Sequence, residues 1–200
     1  MAHFNSSEQP MDFERGFVID LDLQTGLSKM LDTGKRYLGQ MNGMFADQKT
    51  YDEIMKNGDP LVYEFHSMPV PETDGDLAFG CSIVNPGKVG DEYYFTKGHF
   101  HTILDTGEVY YCLKGHGYMM MENPEGDWLA LELTAGKAVY VPKRYAHRSI
   151  NVSADEQLIT FFVFRADAGH DYGTIETKGY RKLLVEKDGE PAIIDNPNWK

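Results

Sequence analysis

Three histidines and one glutamate near the middle of the chain could together bind a metal ion. His99 and His101 lie two residues apart in GHFH, so both side chains leave the same face if this segment is a β-strand. Glu108 follows turn-forming residues and begins the next apolar run, and His147 comes from a later strand or turn. Imidazole and carboxylate ligands in this number suit Fe, Mn, Ni or Zn. The sequence therefore predicts a transition-metal site.

These four residues lie among short segments in which apolar and polar side chains alternate. Segments of this kind, separated by Gly, Pro, Asn and Asp, are typical of an antiparallel sandwich or barrel. The predicted fold class is therefore all-β, with the ligands at the mouth or lumen where inward-facing side chains meet. The predicted strands cover residues 61–68, 76–87, 91–104, 108–123, 128–142, 147–153, 156–167 and 180–195.

The first 45 residues carry the weakest structural signals. Residues 16–23 are apolar enough to predict a stretch that pairs with a strand. Asp47 is predicted to cap a helix that runs to about Lys56 and stops at Asn57-Gly58. We therefore expect a short helix and a strand ahead of the main β segments.

Length and composition favour one domain in a reducing compartment. A chain of 200 residues fits a single domain of ordinary size, with residues 1–58 as an N-terminal extension and residues 59–199 as the barrel core. No run of about eighteen apolar residues is present, and the N-terminus lacks the regions of a signal peptide. Cys81 and Cys112 both occur in apolar segments, which predicts buried thiols. A cytoplasmic location is expected.

The net charge of −12 limits the kinds of partner that the chain can have. Nucleic acid and anionic membrane surfaces would repel it, so neither is expected as a partner. An anionic substrate would need local positive charge, which a bound metal ion, Lys88, Lys97 or Arg148 could supply.

The segment that begins at His99 resembles the first motif of the cupin family. In that motif H-x-H is followed by a glutamate and, seven residues later, by a glycine, which is Gly115 here. Six residues separate His101 from Glu108, whereas cupins in general have three or four. The resemblance implies a double-stranded β-helix, or jelly-roll, barrel.

A second segment resembles the second cupin motif, G-x5-P-x-G-x2-H-x3-N. Arg144 replaces the second glycine of that motif. The other positions match at every spacing, namely Gly136, Pro142, His147 and Asn151.

A closer resemblance extends over roughly residues 60–199. The chain is similar there to the cupin-type phosphoglucose isomerases of archaea and some bacteria. Three features are typical of that family rather than of cupins in general: PGKVGDEYYFTKGHFH, the longer gap before Glu108, and DAGHDYGTI at 167–175.

This resemblance implies an aldose–ketose isomerase of glycolysis and gluconeogenesis. The expected reaction interconverts glucose 6-phosphate and fructose 6-phosphate through a cis-enediol, and mannose 6-phosphate is a related substrate that stays open. The expected cofactor is one divalent transition metal per subunit, with Fe(II) favoured over Mn(II), Ni(II) and Zn(II). A homodimer is also expected.

The resemblance assigns a role to each of several residues. The metal ligands would be His99, His101, Glu108 and His147, with Glu108 also the catalytic base. His170 and Tyr172 would be catalytic at the pocket mouth, where a histidine can open the hexose ring. An alternative for Glu108 is that hydrogen moves as a hydride, because a metal-bound carboxylate is a weak base.

The substrate-binding residues carry over with one departure. Ser82, Thr96 and Gly98 match positions that contact the phosphate, and Tyr110 is expected to contact the sugar. Phe164 replaces a family tyrosine, so one phenolic hydrogen bond is missing, and Lys97 or a water would have to substitute for it.

Two other classes of function remain open on the sequence alone. An iron cupin dioxygenase would use the same ligands, with free positions for oxygen and substrate. A sugar-phosphate-binding cupin without catalytic activity would need only the pocket.

Overall fold

The structure is a computed structural model that describes residues 11–200, so residues 1–10 of the expected N-terminal extension lie outside the described part. Short 3-10 turns occur at Leu38–Met41 and Ala166–Ala168. The other elements, in chain order, are β1 (Gly34–Tyr37), α1 (Gln48–Asn57), β2 (Leu61–Ser67), β3 (Leu77–Val84), β4 (Lys88–Val89), β5 (Glu92–Tyr93), β6 (Glu108–Lys114), β7 (His116–Glu122), β8 (Trp128–Thr134), β9 (Ala138–Val141), β10 (Ala146–Asn151), β11 (Leu158–Arg165), α2 (Gly173–Lys178), β12 (Lys182–Lys187) and β13 (Glu190–Asp195).

The strands form antiparallel sheets in the order β1-β2-β3-β11-β6-β9, β10-β7-β8 and β13-β12-β5-β4. β6 and β7 follow each other in the chain but belong to different sheets, and so do β9 and β10. This alternation between the six-stranded and the three-stranded sheet is typical of the jelly-roll arrangement. The predicted all-β cupin barrel is confirmed.

Gly115 connects β6 to β7 at the point where the chain passes from one sheet to another. Its φ is +87°, and a Cβ at this position would clash with the carbonyl oxygen of Gln157. A left-handed backbone in so close an approach requires glycine. The apolar segment predicted as one strand over 108–123 therefore divides into two, and 128–142 and 180–195 also divide, at the turns after Thr134 and Lys187.

The space between the sheets is filled by one apolar cluster. Its buried residues extend from Leu38, ahead of α1, to Leu184 on β12, and they include Phe95, Met119 and Ile150. Cys81 and Cys112 are also buried, as predicted, and neither forms a disulfide. No helix within residues 11–200 is long and apolar enough to cross a membrane.

The predicted helix is confirmed at both ends. The Asp47 side chain accepts a hydrogen bond from the Thr50 backbone N–H at 3.0 Å, which satisfies one of the free donors of the first turn. The helix ends at Asn57, and Gly58 follows it. Tyr51 is the buried residue of α1.

Two predicted strands are wrong. Residues 16–23 form no strand; Asp22 lies in a turn that is closed by the Gly26 N–H, and Leu21 packs on Cys81 and Ile83 instead of pairing. The predicted strand 91–104 is regular only over Glu92–Tyr93. Beyond it the chain forms isolated bridges at Phe95, His99 and Phe100, and the left-handed Gly98, with φ +76°, separates the first from the other two.

Candidate metal centre and substrate pocket

The four predicted ligands meet in the barrel interior. His99, His101, Glu108 and His147 are all buried, and the ligand atoms that they offer lie within 4.8 Å of one another. His147 comes from β10 and Glu108 from the first position of β6. His99 is brought alongside β10 by an isolated antiparallel bridge, in which the His147 N–H donates to the His99 carbonyl oxygen at 3.2 Å. We call these four residues the ligand cluster.

Thr106 sets the orientation and the tautomer of His101. The Thr106 hydroxyl donates its proton to the Ile103 carbonyl oxygen at 2.7 Å, so its oxygen must accept from His101 Nδ1, also at 2.7 Å. The Nδ1 nitrogen of His101 therefore carries the ring proton. The lone pair of Nε2 is left free and points toward Glu108, as a metal ligand requires.

The cluster fits a divalent cation. Glu108 Oε2 lies 3.1 Å from His101 Nε2 and 2.9 Å from His147 Nε2, so several acceptor atoms converge where a cation can lie between them. His99 Nε2 is buried and has no hydrogen-bond partner among the described residues. Coordination of a metal ion would satisfy such an orphaned nitrogen.

The protonation states of the cluster also suit metal binding. Burial lowers the pKa of His99 well below its usual value, so its imidazole is neutral at neutral pH. Burial alone would raise the pKa of Glu108, but the adjacent imidazoles, that of His147 first, outweigh it and lower that pKa. Neutral imidazoles and an ionised carboxylate are the forms that bind metals.

A cavity of about 260 Å³, which we call the main pocket, lies beside the cluster. His99, Glu108 and His147 of the ligand cluster line this pocket, whereas His101 does not. The other predicted site residues all line this one cavity, namely Ser82, Thr96, Gly98, Tyr110, His170 and Tyr172. The structure thus brings together in space residues that are up to 90 positions apart in the chain.

The predicted phosphate contacts have unused donors. Ser82 is buried, and its hydroxyl has no hydrogen-bond partner among the described residues. The Thr96 hydroxyl oxygen accepts from the Ser149 N–H at 3.1 Å, so its own proton is free to be donated. The Gly98 N–H has no acceptor within residues 11–200. These three groups can donate hydrogen bonds to an anion.

His170 and Tyr172 lie at the mouth of the main pocket, close to the ligand cluster. Their rings are nearly parallel, at 12°, with centroids 5.8 Å apart, and the His170 ring is 4.4 Å from that of His99. Backbone hydrogen bonds between Phe100 and Asp171 hold the segment in place. Desolvation in the pocket lowers the pKa of His170, so at neutral pH its imidazole can both accept and donate a proton.

Tyr110 lies deeper in the same pocket. It is buried, and its hydroxyl donates a hydrogen bond to the Glu108 carboxylate. Burial and the charge of Glu108 raise the pKa of Tyr110, so the phenol remains protonated and can serve as a donor.

Several residues of the site were not predicted from the sequence. Ser149 lines the main pocket, and its position two residues after His147 on β10 was a signal that could have found it. Tyr63 also lines the pocket, and its hydroxyl accepts from the Lys97 backbone, with burial raising its pKa to about 12. Thr106 gave no sequence signal beyond its turn.

The positive charge that was expected near the substrate is only partly there. Lys97 lines the main pocket and pairs with Glu176 on α2 at 2.6 Å. Lys88 lies away from this pocket and pairs with Glu186. Arg148 is buried and lines a different cavity. Of the three cationic side chains, only Lys97 is therefore placed to meet a ligand in the main pocket.

Phe164, which replaces a tyrosine of the similar isomerases, lies in the wall of the main pocket. Its ring stacks on that of His101 at 6.2 Å and meets the edge of His170 at 5.2 Å. The side chain therefore contributes packing but no hydrogen-bond donor.

Comparisons with known proteins match nearly the whole chain. A family model described as glucose-6-phosphate isomerase matches residues 34–200. The glucose-6-phosphate isomerase of Pyrococcus furiosus is 44% identical over 190 residues, which cover 94% of this chain and 99% of that protein. That of Sinorhizobium medicae is 36% identical over 90% of this chain and 86% of its own. Among solved structures, an oxalate oxidase bound to glycolate matches with a TM-score of 0.41 and 14% identity, over 50% of this chain and 47% of that chain.

Proposed function

The chain belongs to the glucose-6-phosphate isomerase family, and from this premise we propose that it interconverts glucose 6-phosphate and fructose 6-phosphate in the main pocket. The observation that carries the proposal is that one cavity contains both the ligand cluster and a set of unused donors suited to a phosphate. An isomerase of this kind needs both, because the sugar must be held by its phosphate while charge develops on its oxygens.

The ligand cluster would hold one divalent ion, for which we propose Fe(II), with Mn(II), Ni(II) and Zn(II) as alternatives. A bound ion supplies Lewis-acid stabilisation of the negative charge that develops on O1 and O2 of the sugar. The convergence of acceptor atoms on Glu108 Oε2 supports this assignment. The choice among these ions rests on ligand type alone, since imidazole and carboxylate accept all of them.

We propose that Glu108 transfers a proton between C1 and C2. Starting from fructose 6-phosphate, its carboxylate takes a proton from C1, and the hydroxyl proton of O1 moves to O2 across the cis-enediol. Glu108 then returns its proton to C2, which leaves the C1 aldehyde of glucose 6-phosphate. The hydrogen bond from Tyr110 supports this role, because a fixed donor can hold the carboxylate in position as it changes protonation.

The remaining site residues would bind and open the sugar. We propose that Ser82, Thr96 and Gly98 donate hydrogen bonds to the phosphate and that Tyr110 also contacts the sugar. His170, with Tyr172 beside it, would move a proton between O5 and O1 to open the ring. The lowered pKa of His170 supports this, because a neutral imidazole can accept the proton at neutral pH.

The decisive test is turnover of fructose 6-phosphate by protein stripped with a chelator and refilled separately with Fe(II), Mn(II), Ni(II) or Zn(II). We expect activity to vanish with the metal and to return with at least one ion. No turnover with any ion, in protein shown to bind metal, would overturn the proposed function and leave a dioxygenase or a binding module.

The proton-transfer route has its own test. Glu108→Gln should still bind metal through three histidines but lose turnover by orders of magnitude. In D₂O, wild-type protein should place deuterium in the product. A product free of deuterium after long incubation would favour hydride transfer.

We propose further that residues 1–58 are an extension on a single cupin domain with residues 59–199 as its core, and that the protein is a cytoplasmic homodimer. Free Cys81 and Cys112 support a reducing compartment. Exposed apolar side chains on the outer face of the large sheet, including Tyr111 and Tyr140, support a second copy as a partner. Sedimentation equilibrium would test the dimer.

A further inference from the structure

A second cavity of about 380 Å³ lies on the other side of the main pocket wall. Gly98 forms part of the partition: a Cβ at this position would lie 2.5 Å from the Tyr180 hydroxyl and 3.0 Å from Arg148 Cβ. Arg148 and Tyr180 both line the second cavity. The other walls come from the segment before α1, from α2 and from the C-terminal residues. The proposed isomerase reaction uses none of this space.

Arg148 is a buried cation without a full set of partners. Only 3% of its surface is exposed, and its guanidinium lies between the rings of Phe95, at 4.1 Å, and Tyr180, at 4.4 Å. The nearest carboxylate oxygen, Glu92 Oε1, is 3.9 Å away, which is too far for a hydrogen bond. Arg148 Nη2 reaches only the sulfur of Met120, and Nε has no partner among the described residues. A buried guanidinium in this state favours an additional anion.

Two lysines add to the positive charge of the second cavity. Lys178, in the last turn of α2, and Lys200 both line it, and neither has a carboxylate within 4.0 Å in the described part of the chain. The one acidic side chain in the lining, Glu176, is already paired with Lys97. Because Glu92 lies 3.9 Å from Arg148 and Glu176 is paired with Lys97, the two lysines are the unpaired charges of the lining, in a chain whose net charge is −12.

We propose that the second cavity binds a small phosphate-bearing molecule. The two unpaired lysines and the incompletely hydrogen-bonded guanidinium of Arg148 provide the charge and the donors that such a ligand needs. The cavity is also larger than the main pocket, about 380 Å³ against about 260 Å³, so a ligand the size of a sugar phosphate has room.

A ligand here would act on the main pocket through their common wall. Gly98 rests directly on Arg148 and Tyr180, and Glu176 reaches from the second cavity to Lys97 in the main pocket. Because the two sites share these contacts, a second negative charge close by weakens the binding of a phosphorylated ligand in the main pocket.

The test is a titration of the full chain, loaded with Zn(II), with inorganic phosphate. The shifts of the backbone amide NMR signals are measured at each phosphate concentration. The amides of Gly179 and Tyr180 report on the second cavity, and that of Ser82 reports on the main pocket. We expect saturable shifts at Gly179 and Tyr180. The double variant Lys178→Ala/Lys200→Ala should raise the Kd read from these two amides about tenfold, because each lysine contributes a modest ionic contact.

The matched control removes the same charge elsewhere. Lys56→Ala/Lys187→Ala takes two exposed lysines from outside the cavity, and it should leave the Kd at Gly179 and Tyr180 unchanged. Absence of saturable shifts at these amides, or the same Kd in the Lys178→Ala/Lys200→Ala variant, would overturn the proposal. The Ser82 amide is read separately, so failure of phosphate binding in the main pocket would be recognised as a failure of the proposed function instead.

Discussion

The Thr106 hydroxyl decides which nitrogen of His101 faces the ligand cluster. Replacing it with valine keeps the shape but removes both the acceptor for Nδ1 and the donor to Ile103. The imidazole can then rotate or change tautomer, so Thr106→Val should weaken metal binding by about 10–100-fold.

Competition with a chromogenic chelator would measure this change in metal Kd. Thr106→Ser is the matched control, because it keeps the hydroxyl and should bind metal like the wild type. If Thr106→Val also kept the wild-type Kd, the orientation of His101 would have to come from its weaker contact with the Thr106 carbonyl oxygen, at 3.2 Å.

Phe164 offers a change that should improve substrate binding. Its ring already lies in the main pocket wall, where related isomerases are expected to have a tyrosine. Phe164→Tyr adds one hydroxyl and, if that hydroxyl reaches the phosphate, should lower the KM for fructose 6-phosphate about threefold to tenfold with kcat nearly constant.

Steady-state kinetics on the metal-loaded enzyme would show this change. Phe162→Tyr, on the same strand and in the same pocket, is the control for a hydroxyl placed elsewhere. An unchanged KM in Phe164→Tyr would mean that the phosphate lies away from this wall.

The four residues of the ligand cluster were predictable from spacing and motif, whereas the residues that support them were not. His99 and His101 share a face by their two-residue separation, and Glu108 and His147 were found because they complete a motif. Thr106 supports His101 only because the loop closes in space, so nothing in its local sequence marks it.

Arg144 replaces a glycine of the second cupin motif. It has φ +72°, so an arginine takes here the left-handed conformation that a glycine adopts without strain.

Among the elements, the link between β6 and β7 can be tested by substituting Gly115, which connects them. Gly115→Ala adds a clash with the Gln157 carbonyl oxygen to the cost of a left-handed alanine. Gly136 has φ +90° and no atom near an added Cβ, so Gly136→Ala should cost only the strain of a left-handed alanine, about 1–2 kcal/mol of unfolding free energy. Gly115→Ala should therefore lower the free energy of unfolding by about 1–3 kcal/mol more than Gly136→Ala does.

Denaturant unfolding of the two variants would measure this difference directly. Equal losses would show that the chain relaxes around Gln157 and that backbone conformation alone makes Gly115 necessary.

Local sequence predicted most elements but not those set by tertiary contacts. The helix after Asp47 was found from its cap and its final glycine, which are local features. Alternation in 91–104 predicted a continuous strand, but Gly98 has a left-handed φ and approaches Arg148 and Tyr180 too closely for a side chain. α2 is six residues long, too short to give a helical period, and its start depends on Asp171, which accepts from the Thr174 hydroxyl at 2.8 Å.

For the whole molecule, the pairing of distant strands creates the site. β6 lies between β9 and β11 in one sheet while β10 lies in the other, so Glu108 and His147 face each other across the barrel. Alternation of side chains predicted the strands, the cupin resemblance predicted the jelly-roll form, and neither gave the order of the strands in the sheets. An ion held between these sheets joins elements that are far apart in the chain, so it should stabilise the entire fold.

Metal loading should therefore raise the melting temperature. A ligand that binds only the folded state at 100 times its Kd adds about 2.7 kcal/mol of stability. For a chain of this size that corresponds to a rise in Tm of about 5–11 °C. Scanning calorimetry of chelator-treated protein with and without added Zn(II) or Mn(II) would measure it. Ca²⁺ at the same ionic strength should have little effect, since it prefers oxygen ligands. His147→Ala should lose the rise, because the ion can then no longer bridge β6 and β10. The same rise in His147→Ala as in the wild type would mean that the stabilising ion binds outside the ligand cluster.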